Sequence, residues 1–416
     1  MLITKIKKSL RILGPGLVTG ASDDDPSGIA TYSQAGAQFG LSTLWTALLT
    51  FPLMAAIQGM CARIGIVTSQ GLTVTLKQHY SKPLLYIMLL FSFPAITLNI
   101  GADIQGMGAV AHMIVPEIPV SAFCVFFTAA LMFIIIKYPY QKIAMILKWL
   151  CLSLLLYVIV PFMVKQNWSA VAKNTFIPTI IFNKAFFSII VALLGTTISP
   201  YLFFWQATME AEDIAHSKRK VVVNKRILNN MKTDVNIGMF LSNLVMFFII
   251  LTTGSVLYNA GIRQIDTVDQ AAKALEPIAG KLTYLIFAIG VIGTGLIAIP
   301  VLAGSQSYMF AETFGWKAGL DKTFPQAKAF YVSIVISLLV GLSLDFLGVS
   351  PIKALLYTAI SYGLTAPVLI AIIIHIGNNK TIMKENTNSK LSNTLGILTL
   401  LLMTAAAIAL IYFMFK

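Results

Sequence analysis

Long apolar runs follow one another along the chain, and only short polar stretches separate them. A helix needs roughly 20 mostly apolar residues to cross a bilayer, because it must satisfy its backbone polar groups within its own segment. Eleven runs reach that length. We predict spans at 12–38, 42–66, 83–113, 118–136, 143–164, 182–209, 236–258, 281–304, 328–347, 351–375 and 392–415. The pattern therefore predicts an all-α polytopic membrane protein.

The first and the sixth of these runs are interrupted. In the first, three aspartates precede Pro26, and in the sixth, Pro200 follows small hydroxyl-bearing residues. Proline removes a backbone donor and clashes with the carbonyl one turn back, so both breaks are expected to free carbonyl oxygens. Interruptions at corresponding positions are typical of transporters with two inverted halves. We predict one transmembrane domain over residues 1–416, with helices 1–5 at about 12–164, helices 6–10 at about 182–375 and an extra helix at about 392–415.

The composition agrees with a membrane protein, since 57% of the residues are hydrophobic and 11% are charged. The net charge of +14 could suggest a nucleic-acid partner, so the positions of the 30 Lys and Arg residues matter. Most of them fall on one side of the membrane when the spans alternate. Those segments are 5–11, 63–82, 137–148, 218–232, 317–328 and 380–390. The distribution predicts a cytoplasmic N-terminus, an outside C-terminus and no nucleic-acid partner.

The aspartate run Asp23, Asp24 and Asp25 carries the strongest chemical signal. Asp25 lies roughly 20 Å into the first span at 1.5 Å per residue, which is mid-bilayer. A carboxylate there costs about 2.5 to 3.5 kcal/mol, and the end of the first half-helix adds a negative dipole. A multivalent cation would relieve both, because such ions prefer carboxylate and carbonyl oxygens. Alternatively, Asp23 and Asp24 cap the second half-helix or face a water-filled vestibule; for Asp25, next to proline, this is the weaker interpretation.

Hydroxyl groups accompany the break in the sixth span. Thr196, Thr197 and Ser199 could bind an ion or its water, or could bond to their own helix, the commoner role of Ser and Thr in spans. The residues predicted to line a cavity are Asp23, Thr197, Tyr201, Trp205, Gln206, Asp103, Gln105 and Thr365. The sequence offers no nucleophile with a base and an orienting partner, and no His-rich cluster. We therefore expect neither enzymatic activity nor a cofactor.

Residues 25–28, Asp-Pro-Ser-Gly, with the tail at 29–37, resemble the first-span signature of the NRAMP metal-ion transporters, which is usually Asp-Pro-Gly-Asn. Ser199-Pro200-Tyr201 stands where that family has Met-Pro-His, and residues 302–313 follow the family's order. The resemblance covers most of the chain. Together with the two broken spans, it implies a LeuT-like fold with a central site between spans one and six that opens alternately to each side.

The resemblance also implies a ligand set. Its members would be Asp25, the possible second carboxylate Asp24, the carbonyls of Ser22 and Thr196, the hydroxyls of Thr196 and Ser199, and Gly28 at the family's Asn position. The family binds manganese and iron with Asp, Asn and the Met sulfur. Replacing Met by Ser199 removes the sulfur and suits a hard ion that keeps its waters. The pattern resembles the NRAMP-related magnesium transporters.

We therefore predict Mg²⁺ uptake by alternating access in the cell membrane. The family's sixth-span His is Tyr201 here, and its third-span carboxylates align with Ala102 and Gln105, which predicts transport without proton coupling. The membrane potential contributes about 2.3 kcal/mol per charge per 100 mV. The alternatives are a proton-coupled Mn²⁺ or Fe²⁺ transporter and a LeuT-like symporter of an organic solute. The expected partners are the divalent cation and the lipid bilayer, without an obligate protein partner.

Overall fold

A computed structural model of the protein describes residues 14–138, 156–215, 223–276, 283–348 and 350–415. The described residues form helices and connecting turns, without a strand. The α-helices are α1 (Pro15–Asp23), α2 (Pro26–Phe39), α3 (Leu44–Thr68), α4 (Leu72–His79), α5 (Lys82–Ile114), α6 (Val120–Lys137), α7 (Leu156–Met163), α8 (Trp168–Phe176), α9 (Lys184–Thr197), α10 (Pro200–Ala215), α11 (Lys225–Val256), α12 (Val268–Ala272), α13 (Thr283–Phe314), α14 (Lys328–Ser343), α15 (Pro351–Asn378), α16 (Lys380–Met383) and α17 (Lys390–Phe415).

The helices follow the predicted apolar runs closely. Within the described ranges, nine helices are long and apolar enough to cross a membrane, with α9 and α10 taken together as one. The predicted first span is divided between α1 and α2, of 9 and 14 residues, so neither half reaches that length alone. Of the predicted span at 143–164, only α7 lies within the described residues, and the basic segment at 5–11 lies outside them.

Several helices differ from the sequence prediction in their length or presence, and the short helices α4, α12 and α16 lie where no span is predicted. α11 begins at Lys225 rather than near 236, and α13 continues to Phe314 rather than ending near 304. Polar residues extend both helices because a helix satisfies its backbone groups locally, inside or outside the hydrocarbon layer. α8 lies in the connection at 165–182, where no helix is predicted. The Asn167 side chain caps α8 by accepting a hydrogen bond from the backbone N–H of Ala170 at 3.0 Å.

The half-helix α1 packs along one face of α11. Asp234, Gly238 and Ser242 stand four residues apart on α11, so their side chains share that face. The Asp234 carboxylate accepts hydrogen bonds from three backbone N–H groups at the start of α1, at 2.7 to 3.3 Å. A Cβ on Gly20 would lie 2.3 Å from the carbonyl oxygen of Gly238, so the two backbones touch directly. Ser242 donates to the carboxylate of Asp23 at the end of α1, at 2.6 Å.

Large apolar side chains cover the outer surface of the helix bundle. Phe126 and Phe133 on α6 are 62% and 57% exposed, and Leu401 and Ile408 on α17 are similarly exposed. Soluble proteins rarely expose apolar surface over whole helix faces, because water penalises it. These faces meet the hydrocarbon of a bilayer, and the protein is an integral membrane protein.

Candidate metal site at the two helix breaks

The first break lies between α1, which ends at Asp23, and α2, which begins at Pro26. Asp25 is the N-cap of α2, and its Oδ1 accepts a hydrogen bond of 2.6 Å from the backbone N–H of Gly28. Proline suits the first position of α2, where no intrahelical donor is needed. Capping leaves Asp25 able to bind a cation as well, because each carboxylate oxygen has two lone pairs.

The second oxygen of Asp25 is also held. Asn99 on α5 donates a hydrogen bond of 2.9 Å from Nδ2 to Asp25 Oδ2. The Asp25 side chain is only 2% exposed. A cation can therefore reach this carboxylate only after the surrounding helices move apart.

Asp23 and Asp24 face a different helix from Asp25. Ser242 on α11 donates to Asp23 Oδ2 at 2.6 Å and lies 3.4 Å from Asp24 Oδ1. The three consecutive carboxylates thus do not converge. Across the described ranges, no three His, Cys, Asp or Glu side chains are grouped as a metal cluster. A cation at the break would need carbonyl oxygens, hydroxyl groups or water to complete its coordination.

The end of α1 also touches the first turn of α10. Tyr201 donates a hydrogen bond of 2.9 Å from its hydroxyl to the carbonyl oxygen of Ser22. The Ser22 hydroxyl itself donates to the carbonyl of Val18 in the preceding turn at 2.9 Å. The ring of Tyr201 packs against that of Tyr362 on α15, with 5.8 Å between the centroids. The Ser22 carbonyl therefore faces the region between the two breaks, where it already accepts one hydrogen bond from Tyr201.

The second break lies between α9, which ends at Thr197, and α10, which begins at Pro200. Ser199 donates to the carbonyl of Thr196 at 2.5 Å and to that of Gly195 at 3.1 Å. Thr197 donates to the carbonyl of Leu193 at 2.6 Å. These two hydroxyls bond to their own helix, the alternative role that the sequence left open. The Thr196 carbonyl keeps a second lone pair for an ion.

The structure brings a sulfur atom to this break. Met246 on α11 has its thioether Sδ 3.6 Å from the hydroxyl of Thr197 and 3.8 Å from that of Thr50 on α3. Sequence reasoning did not single out Met246 or Ser242, because Met and Ser are ordinary residues in an apolar span. The four-residue spacing of Asp234, Gly238 and Ser242 is the sequence signal that could have indicated this face of α11.

The other predicted lining residues have separate surroundings. Gln206 accepts from Thr19 on α1 at 2.6 Å and donates to Glu210 at 2.9 Å. Gln105 lies 3.3 Å from Asp345 and borders a cavity of about 110 Å³. The remaining two are Trp205, which packs against Gly304 of α13, and Thr365, whose hydroxyl donates to the Ser361 carbonyl at 3.0 Å. The Thr19 contact connects Gln206 to the half-helix that precedes the first break.

Asp103 on α5 is a predicted lining residue that lies close to Asp25. It is 0% exposed and lies beside the backbone N–H of Ser27 in the first turn of α2. Two carboxylates from distant parts of the sequence thus come together at the N-terminus of α2, where the helix dipole is positive.

Sequence comparison gives one family over nearly the whole chain. The profile described as "Natural resistance-associated macrophage protein-like" matches residues 16–413. The "Divalent metal cation transporter MntH" of Caldanaerobacter subterraneus is 24% identical over 398 residues, which are 95% of this chain and 91% of that protein. The protein of the same name from Clostridium acetobutylicum is 24% identical over 414 residues, 99% of this chain and 92% of that one.

Two solved structures share the fold. The Eremococcus coleocola manganese transporter, in complex with an aromatic bis-isothiourea substituted compound, superposes with a TM-score of 0.78 at 16% identity, covering 96% of this chain and 86% of that one. MhsT in complex with L-phenylalanine gives a TM-score of 0.60 at 13% identity, covering 96% and 97%. The prediction of an all-α, LeuT-like fold is confirmed.

Proposed function

Because the chain belongs to the natural resistance-associated macrophage protein-like (NRAMP) family, we propose that it carries a divalent metal cation across a lipid bilayer. The observation that supports this most directly is the Asp25 carboxylate, buried at a break in the first membrane span. A negative charge at that depth is costly without a cation. The names of the MntH relatives support the same cargo class.

The breaks suggest how the cation would be held. Asp25 would supply the principal charge, because Asn99 and the N–H of Gly28 already fix the orientation of its carboxylate. The carbonyls of Ser22 and Thr196 lie at the C-terminal ends of α1 and α9, where the helix dipoles are negative. Asp24 stays a candidate ligand, although its carboxylate lies beside Ser242 on α11 rather than beside Asn99 on α5. Release of the cation requires the helices around Asp25 to separate, and this is the movement that alternating access describes.

Mn²⁺ is the first candidate for the cargo. The predicted preference for Mg²⁺ finds no support among the relatives, whereas a structural relative is named a manganese transporter. The Met246 thioether beside Thr197 adds a soft donor close to the break. Mg²⁺ is the second candidate, since Ser199 and Gly28 stand where the family has Met and Asn, and hydroxyl and carboxylate oxygens suit a hard ion.

The driving force and the orientation complete the proposal. Tyr201 stands where the family has His, so this position lacks a group that changes charge near neutral pH. This supports uptake driven by the membrane potential without proton coupling. The positive-inside distribution supports a cytoplasmic N-terminus and an outside C-terminus in the cell membrane.

Uptake into proteoliposomes tests the proposal. Vesicles that contain the protein are loaded with a metal-sensitive dye, and Mn²⁺ or Mg²⁺ is added under an imposed voltage or an imposed pH gradient. We expect uptake that follows the voltage, and we expect Asp25→Asn to abolish it without loss of the folded protein. Asp266→Asn, which removes an exposed loop carboxylate, is the matched control.

The possible results separate the candidates. Faster uptake of Mn²⁺ than of Mg²⁺ at equal concentration supports the first cargo, and the reverse supports the second. Uptake that responds only to the pH gradient contradicts the driving force. No uptake of either ion, or equal uptake by the Asp25→Asn and Asp266→Asn variants, contradicts the role of the site.

A further inference from the structure

One face of α5 lies against the N-terminal turn of α2. Asn99, Asp103 and Gly106 are spaced four and three residues apart, so they share a face of this helix. Asn99 bonds to Asp25, and a Cβ on Gly106 would lie 3.4 Å from Pro26. Asp103, between them on the same face, therefore points at the same turn of α2.

The carboxylate of Asp103 is buried and lacks a well-formed hydrogen bond among the described residues. Considering every residue that the structure describes, neither of its oxygens accepts a hydrogen bond of normal geometry. Native proteins leave few buried polar groups unpaired, and an unpaired carboxylate is the costliest kind. Asp25 differs in this respect, since both of its oxygens accept hydrogen bonds. Asp103 is thus the carboxylate of this region with the most unused capacity for a ligand.

Two further oxygens beside Asp103 also lack a hydrogen bond of normal geometry among the described residues. They are the side-chain carbonyl Oδ1 of Asn99 and the hydroxyl of Tyr362 on α15, which is 1% exposed and lies close to Asn99, Asp25 and Asp103. Two independent helices thus contribute unsatisfied oxygen atoms to one place. Carboxylate, amide carbonyl and hydroxyl oxygens are the donor set of a hard or borderline divalent cation.

The backbone of α2 offers little to satisfy Asp103 instead. Pro26 has no N–H, and those of Gly28 and Ile29 donate to the side chain and the carbonyl of Asp25. The N–H of Ser27 lies beside the carboxylates of both Asp25 and Asp103, so it satisfies the two oxygens of Asp103 at most in part. The helix dipole favours a carboxylate at this position, but most of the lone pairs of the Asp103 carboxylate face no hydrogen-bond donor.

We propose that Asp103 is the second carboxylate ligand of the transported cation, so that the ion is held between Asp25 at the first break and Asp103 on α5. The proposal rests on the proposed function and specifies its site. The two carboxylates carry two negative charges, which a divalent cation balances. Asp23 and Asp24 then lie outside this pair, on the α11 side of the break with Ser242.

The test compares Asp103→Asn with Asp345→Asn in the full-length protein. Asp345 is a partly buried carboxylate that lies beside Gln105, also on α5, and therefore controls for loss of a nearby charge. Thermal unfolding in detergent is measured without metal and with increasing Mn²⁺ or Mg²⁺, whichever the wild type transports. Uptake is measured in proteoliposomes.

For Asp103→Asn we expect the cation affinity to fall by at least about tenfold and uptake to be lost. The unfolding temperature without metal should stay equal or rise, because an unpaired buried charge has been removed. The affinity lost in the double variant with Asp25→Asn should differ from the sum of the two single losses, since both residues bind the same ion. Asp345→Asn should behave as the wild type.

Opposite results overturn the inference. Asp103→Asn with wild-type uptake and wild-type cation-induced stabilisation, but a lower unfolding temperature without metal, would make Asp103 a structural partner of Ser27. Asp103→Glu, which keeps the charge, should retain part of the cation-induced stabilisation. A folded Glu variant as defective as the Asn variant would also contradict the proposal. A wild type that neither binds nor transports a divalent ion would contradict the proposed function instead.

Discussion

Asn99 donates a hydrogen bond of 2.9 Å to the carboxylate of Asp25, although 74 residues separate the two along the chain. The bond joins the middle of the third membrane span to the break in the first one. The orientation of the principal candidate ligand therefore depends on α5 as well as on its own helix.

Replacing Asn99 by alanine is expected to slow uptake by about tenfold, because the Asp25 carboxylate loses the side chain that orients it. Initial uptake rates in proteoliposomes with equal amounts of folded protein measure the effect. Asn243→Ala is the control, since Asn243 is a buried amide that bonds to Thr50 and to the Met239 carbonyl and contacts no carboxylate. Equal rates for the two variants would contradict a role for Asn99 in orienting the ligand.

Asp234→Ala is expected to lower the free energy of unfolding by about 0.5 to 2 kcal/mol, the usual cost of removing a helix N-cap. The change removes the acceptor for three backbone N–H groups at the start of α1. Thermal or denaturant unfolding in detergent measures the loss. The neighbouring exposed variant Thr233→Ala should stay within about 0.5 kcal/mol of the wild type. If both variants were equally stable, the Asp234 contacts would contribute nothing measurable to the free energy of unfolding.

Gly20→Ala is expected to destabilise the protein by about 1 to 3 kcal/mol, because the new methyl group would lie 2.3 Å from a backbone oxygen of α11 that cannot move aside. The yield of monodisperse protein and its unfolding temperature report the effect. Gly59→Ala is the matched change, since a Cβ there meets no atom within 4 Å. That variant should gain about 0.5 to 1 kcal/mol from helix propensity. A stable Gly20→Ala protein would mean that α1 and α11 can separate at little cost.

Ser199→Met is expected to raise Mn²⁺ uptake relative to Mg²⁺ uptake by about tenfold, because it adds a thioether donor at the second break. The readout is the ratio of the two initial rates in the same vesicle preparation. Ser199→Ala separates the two effects of the change. It removes the hydroxyl that donates to the Thr196 carbonyl but adds no sulfur, so its ratio should stay near that of the wild type. Equal ratios in the Met and Ala variants would exclude a sulfur effect at position 199.

The sequence was sufficient to predict the long apolar helices of the described residues, because hydrocarbon imposes one requirement on every span and apolar runs of the required length meet it. It did not predict the short helices α4, α8, α12 and α16. It was also sufficient for both breaks, since Pro26 and Pro200 act locally on the backbone. The ends of α11 and α13 could not be read from hydropathy, because both helices continue through polar residues.

The site was harder to predict than the fold. Asp25 stands out in the sequence because a carboxylate in a membrane span is energetically costly. Its contacts depend on how distant helices pack, and the same holds for the Ser242 contact with Asp23 and the approach of Met246 to Thr197. Single polar residues in a span do not reveal which neighbour they face. Adjacency in the sequence does not say where each aspartate points: Asp25 bonds to Asn99 on α5, whereas Asp23 and Asp24 lie beside Ser242 on α11.

The contacts of Asp234, Gly238 and Ser242 hold the beginning, middle and end of α1 against a single helix. Breaking one contact leaves the other two in place, so α1 cannot bend away from α11 gradually. We infer that any motion which exposes Asp25 by displacing α1 either breaks all three contacts in one concerted event or moves α1 and α11 together as one rigid unit.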